Sequence, residues 1–145
     1  MSYTTWHTYG YGLQTDCLTI KSAESLADLV KCAPEFEKWV TECFRKNEIT
    51  DPTIENYLEL DTDCENELAF ILQKVMEEAE GIELTACDDS EGFDYLLYQP
   101  KYPWQMTDKD KGLNQEKLNA IFERYLSIIT EDEIEVDFMS PENGG

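Results

Sequence analysis

Residues 82–98 read Ile82-Glu83-Leu84-Thr85-Ala86-Cys87-Asp88-Asp89-Ser90-Glu91-Gly92-Phe93-Asp94-Tyr95-Leu96-Leu97-Tyr98. Ile82, Leu84 and Ala86 alternate with Glu83, Thr85 and Cys87, the polar run 88–92 breaks the pattern, and residues 93–99 resume it. Two short alternating runs joined by turn-forming residues predict a β-hairpin with a longer acidic turn. The strands of a hairpin are antiparallel, and the helical segments around this one cluster ahead of it instead of alternating with strands. The fold class expected is therefore α+β.

Directly upstream, Leu68, Ile71, Leu72, Val75, Met76 and Ala79 form an i, i+3, i+4 stripe that predicts a helix from about residue 65 to 80. Gly81 stands where its C-terminal cap belongs. Asp51-Pro52 reads as an N-cap and first-turn proline of a short helix carrying Ile54, Tyr57 and Leu58. Pro34 closes a helix that starts at the cap Ser22 and bears Leu26, Leu29, Val30 and Ala33. It also opens the next, whose buried stripe is Phe36, Trp39, Val40, Cys43 and Phe44. Residues 3–12 alternate as a strand.

Downstream, Pro100 and Pro103 bracket an extended loop, Asn114 caps a last helix carrying Leu118, Ile121, Phe122, Tyr125, Leu126 and Ile129, and residues 134–138 can close the sheet. The expectation is one globular domain over residues 1–140, a small mainly antiparallel sheet with four to five helices packed on one face. Residues 141–145 read as a flexible tail.

Composition agrees with a folded single domain: 145 residues, 41% of them hydrophobic, suffice for one core without metal or disulfide support. No apolar run approaches the roughly 18 residues of a membrane span, and the first residues hold neither a basic nor an apolar leader region. The five cysteines are odd in number and widely spaced, with no CxxC pair. Reduced thiols and a cytoplasmic location are expected.

Charge is the outlier. Thirty-two acidic residues face 11 Lys plus Arg, a net −21, which repels nucleic acid and anionic membranes and leaves a basic protein as the fitting partner. Residues 51–99 hold 15 acids against the single base Lys74. A chain of this mass exposes about 7,700 Å², so 15 acids on a third of it stand about one per 170 Å². B-form DNA, taken as a cylinder of roughly 10 Å radius, carries about one charge per 107 Å². Within that segment Asp61, Asp63, Glu65 and Glu67, with Asp88, Asp89 and Glu91, are the candidate charged contacts. Tyr98, Tyr102 and Trp104 are candidate apolar anchors, since Tyr and Trp beside a polar rim anchor interfaces. The competing readings are a solvated acidic surface that only confers solubility and aromatics that pack in the core.

No pattern supplies catalysis or a cofactor. Asp61-x-Asp63-x-Glu65 opens like a calcium loop, but Asn66 replaces the required Gly and Leu72 the bidentate Glu. His7 is the only histidine, so no multi-histidine metal site exists, and beside Trp6 in an aromatic strand it reads as a packed residue. Phosphate-loop, dinucleotide and nucleophile-elbow motifs are missing. Tyr9-Gly10-Tyr11-Gly12 is too short to cradle phosphate and marks a strand end or bulge. The chain is thus read as a non-enzyme without metal or cofactor; the alternative from another class is a small hydrolase or transferase using His7.

In size, charge and lack of catalytic residues, and in its 51–99 segment, the chain resembles phage-encoded acidic DNA-mimic inhibitors of the anti-CRISPR type. That resemblance implies an inhibitor that occupies the nucleic-acid site of a defence nuclease such as a Cas effector. The chain is also similar to cytosolic immunity proteins, which would imply neutralisation of a nuclease toxin by the same physics.

Overall fold

The hairpin forms as expected from its alternation. In the computed structural model, which describes residues 6–7, 10–60, 67–89, 91–99, 104, 106 and 108–143, β3 (Thr85–Asp88) pairs antiparallel with β4 (Asp94–Tyr98), Thr85 opposite Leu97 and Asp88 opposite Asp94. β4 pairs with β2 (Gly10–Gln14) and β2 with β5 (Asp137–Met139), giving an antiparallel sheet of order β3-β4-β2-β5. The fold is α+β.

The first hairpin strand starts later than its pattern suggests. Ile82 and Leu84 are buried in the connection from the preceding helix. The Leu84 N–H donates to Glu77 Oε2 (3.0 Å) and its carbonyl accepts from Gln73 Nε2 (2.9 Å), so helix side chains take the place of ladder partners.

The described residues form six helices: α1 (Ala23–Val30), α2 (Pro34–Lys46), α3 (Ile54–Leu58), α4 (Glu67–Glu80), α5 (Asp108–Lys111) and α6 (Gln115–Ile129). Ser22 and Asn114 cap α1 and α6 as expected. The cap of α3 is Thr53, not Asp51: Thr53 Oγ1 accepts from Asn56 N (3.2 Å) while Asn56 Oδ1 accepts from Thr53 N (2.9 Å), a reciprocal box that Asp51 sits too early to make. Four-residue α5 is a run of charged residues with no apolar period, so nothing in its spacing announces it.

Strand pleating sends Tyr11, Leu13, Leu96 and Tyr98 to the side where the apolar stripes of α1, α2, α4 and α6 converge in one core. Leu97, opposite Gly12, is fully buried but lies outside that core. Of the strand expected over residues 3–12, Gly10–Gly12 belong to β2, β1 (Trp6–His7) pairs with β6 (Glu142–Asn143) in a separate two-stranded sheet, and residues 3–5 and 8–9 lie outside the described residues. Residues 142–143, read from composition as part of a loose tail, thus carry a strand, because a partner distant in sequence satisfies their backbone. Among the described residues no helix is long and apolar enough to cross a membrane.

One acid is structural in an unexpected way. The N-cap of α2, Ala33, has no side-chain acceptor, and Glu78 reaches over from α4 to supply two: Oε2 accepts from Glu35 N (2.9 Å) and Oε1 from Phe36 N (3.0 Å). Glu78→Ala is expected to lower stability by about 1–2 kcal/mol, the usual worth of a cap, and Glu78→Gln, which keeps an acceptor, by less. Urea midpoints of the two variants check this order.

Candidate functional site

The topology delivers acids from separate parts of the chain to one end of the sheet. β3 and β4 are joined at that end by the hairpin turn, β2 leaves the sheet there after Gln14, and β5 enters there at Asp137. The N-terminus of α4 lies at the same end, where Glu67 lines a cleft of about 100 Å³ with Asp16, Asp94 and Ile20. So does the C-terminus of α6, whose Ile129 carbonyl accepts from Lys21 N (2.7 Å).

Two larger clefts continue this surface. Glu131 and Asp132 line one of about 400 Å³ with Thr19, Lys21 and Ile20, the residue it shares with the first cleft. The other, about 840 Å³, runs between α6 and residues 130–136, where Glu123, Glu131, Asp132, Glu133 and Glu135 stand around Ile134 and Val136, with no Lys or Arg among its described lining residues. Asp132 fixes the floor: its Oδ2 accepts from Thr19 N (2.7 Å) and its N–H donates to Thr130 Oγ1 (3.1 Å). Lys21 Nζ is directed at the Ser127 carbonyl (3.3 Å).

The hairpin turn adds Asp88, Asp89 and Glu91. Asp88 and Glu91 are exposed. Asp89 organises the turn: Oδ1 accepts from Glu91 N (2.9 Å) and Phe93 N (3.0 Å), and Oδ2 from the Tyr95 hydroxyl (2.9 Å). Desolvation raises the Asp89 pKa, but these donors and Gly92 N together hold it below the ordinary carboxylate value. Burial and then the bond to Asp89 push the Tyr95 phenol up to about 12.

The signs follow from linkage. Asp89, depressed in the fold, contributes stability above its unfolded pKa that is lost as pH falls through the lower folded value. Tyr95, raised in the fold, contributes stability below its unfolded pKa near 10 that is lost as pH climbs toward 12. Tyr95→Phe is therefore expected to flatten the alkaline limb of a stability-against-pH profile between about pH 10 and 12; Tyr125, pushed to about 12 by burial and Glu80, and Tyr57, raised by burial, still contribute to that limb.

The described 51–99 acids do not share one face. Glu67 and Glu80 sit at opposite ends of α4, a helix about 20 Å long, and Glu77 and Glu78 at the far end are occupied with backbone N–H groups. Glu80 is ion-paired with Arg124 (3.2 Å) and accepts from the Tyr125 hydroxyl (2.8 Å). In place of these, the surface recruits Asp16 and the 131–135 run. The signal for that run was five acids in the seven residues 131–137, hidden by its reading as the start of a closing strand.

Of the expected contacts, Glu67, Asp88 and Glu91 are exposed at the acidic end, Asp89 is partly engaged there, and Asp61, Asp63 and Glu65 lie outside the described residues. Tyr98 is corrected from anchor to core: it is 8% exposed, opposite Tyr11 on the helix side of the sheet. Trp104 is 78% exposed, and Tyr102 lies outside the described residues, as does the His7 side chain. Among the described residues no group of three or more His, Cys, Asp or Glu is arranged to hold a metal ion. No family model, curated protein or solved structure matches the chain.

Proposed function

We propose that this chain is a non-enzymatic inhibitor that binds a basic nucleic-acid-handling protein, such as a defence nuclease of the Cas type, and blocks its nucleic-acid site. The observation that supports it is the convergence of carboxylates from the turn after β2, the start of α4, the hairpin turn and the α6–β5 connection on one end of the sheet. Those of the turn after β2, the start of α4 and the α6–β5 connection border adjoining clefts, where Lys21 is the one cation among the described lining residues. Carboxylates replace phosphates along a Lys- and Arg-lined channel, and a net −21 steers the encounter. The 840 Å³ cleft admits basic side chains from the partner, with Ile134 and Val136 covering their aliphatic stems.

Two double reversals of equal charge test this reading. Glu131→Lys with Glu133→Lys alters the acidic end; Glu83→Lys with Glu116→Lys alters exposed acids outside it. Against guide-loaded Cas effectors, with target-DNA binding as readout, the first pair is expected to weaken inhibition by at least about tenfold, the second to leave it within about threefold, and added salt to weaken it throughout. Equal losses from both pairs, or DNA binding untouched by the wild-type chain across the panel, would remove the proposal.

A further inference from the structure

α2 carries a second surface whose character differs from the acidic end. Its core side is Phe36, Val40 and Phe44. Trp39 is turned off that side and is 41% exposed, one ring face stacked on Phe36 (centroids 5.7 Å, 17°) and its ring against Phe70 of α4 (6.1 Å, 68°). Helical spacing places Glu35, Trp39, Glu42 and Lys46 on a single stripe. A large, rigid aromatic side chain held in this way and left open to solvent is the kind of group that anchors interfaces.

The charges around it are balanced where the molecule's are not. α2 holds three acids, Glu35, Glu37 and Glu42, and three bases, Lys38, Arg45 and Lys46, in a chain of net −21. They are also ordered, with Glu35 and Glu37 in the first turn and Arg45 and Lys46 in the last. We infer that this face is a self-association surface, through which two copies of the chain pair with their α2 helices antiparallel.

A two-fold axis crossing the helix between Trp39 and Glu42 brings Glu35 of each copy against Lys46 of the other, and sets each Trp39 beside the other copy's Glu42 with the two rings flanking the axis. The surface is self-complementary, as a closed dimer requires. Glu35 with Lys38 (3.5 Å), the pair it would exchange, joins exposed side chains and holds little, while Glu42 and Arg45, bonded two-fold along the helix, stay paired within each copy. A second −21 copy meets less repulsion on this charge-balanced helix than at the acidic end, and salt screens the remainder.

Sedimentation equilibrium of the full chain, at low and high salt, tests the inference. The expected result is a monomer–dimer equilibrium that tightens as salt is added, the reverse of the salt response of a basic partner. Trp39→Ala is expected to weaken it at least about tenfold. Lys46→Glu weakens it as well, and adding Glu35→Lys restores it, because the double swap rebuilds opposite charges across the axis. All these positions are exposed, and circular dichroism verifies that the variants fold. A chain that stays monomeric to about 1 mM, where even weak pairing registers, overturns the inference. So does a dimer indifferent to Trp39→Ala, or a Trp39→Ala variant that loses only the binding of a basic nuclease.

Discussion

Gly12→Ala is expected to cost more than about 3 kcal/mol, beyond the range of ordinary overpacking. Gly12 lies in β2, the strand held between β4 and β5. A Cβ built there would overlap the Leu96 carbonyl oxygen and stand 2.9 Å from both the Leu96 carbonyl carbon and Leu97 Cα. Every one of these atoms is backbone. No rotamer change relieves the overlap, so β2 and β4 must separate, and their shared ladder goes with them. Against a total of about 5–15 kcal/mol for a domain, the loss is a large fraction. Gly92→Ala is the control: φ there is +90°, but a Cβ meets nothing within 4 Å, so only backbone strain of about 1–2 kcal/mol is expected. Urea midpoints followed by far-ultraviolet circular dichroism compare the two. A Gly12→Ala midpoint close to wild type would contradict the β2–β4 register.

The second large effect concerns neighbouring positions on α6. Phe122 is fully buried, and with Leu118, Ile121, Tyr125, Leu126 and Ile129 it seats α6 in the core. Phe122→Ala is expected to cost about 3–5 kcal/mol. Glu123, one residue on, faces the 840 Å³ cleft among four other carboxylates. Removing its charge relieves like-charge repulsion, so Glu123→Gln is expected to leave stability unchanged or raised, by no more than about 0.5 kcal/mol. The same denaturation experiment reads both. Should Glu123→Gln destabilise as a core change does, the cleft carboxylates would be structural acceptors, and the proposed binding surface would lose its largest part.

What could be read from sequence was what periodicity encodes. The stripe from Leu68 to Met76 gave α4, the spacing from Leu118 to Ile129 gave α6, and the alternation around the acidic turn gave the hairpin and, with it, the α+β class. Features settled by partners remote in the chain were not legible. Leu84 obeys the strand pattern but hydrogen-bonds to Gln73 and Glu77, and β6 exists only because β1 lies beside it. The site shows the same limit. Total charge was plain, and the hairpin-turn acids were correctly located at the end of the strands. But a segment of sequence is not a face of the fold: α4 carries its acids to both ends of the sheet, while Asp16 and residues 131–135 arrive from distant parts of the chain. Tyr98 failed as an anchor because strand parity, not aromatic character, decides which side of a sheet a residue meets.

The way Asp89 fastens its turn has a practical consequence. Since that one carboxylate satisfies Glu91 N, Phe93 N and the Tyr95 hydroxyl, its neighbours Asp88 and Glu91 stand exposed beside a loop whose shape Asp89 already secures. The electrostatic potential of this region can therefore be dialled stepwise, from acidic through neutral to basic, by rewriting those two positions on an otherwise constant scaffold. Such a ladder of variants would measure how much of the charge at this end the proposed partner needs.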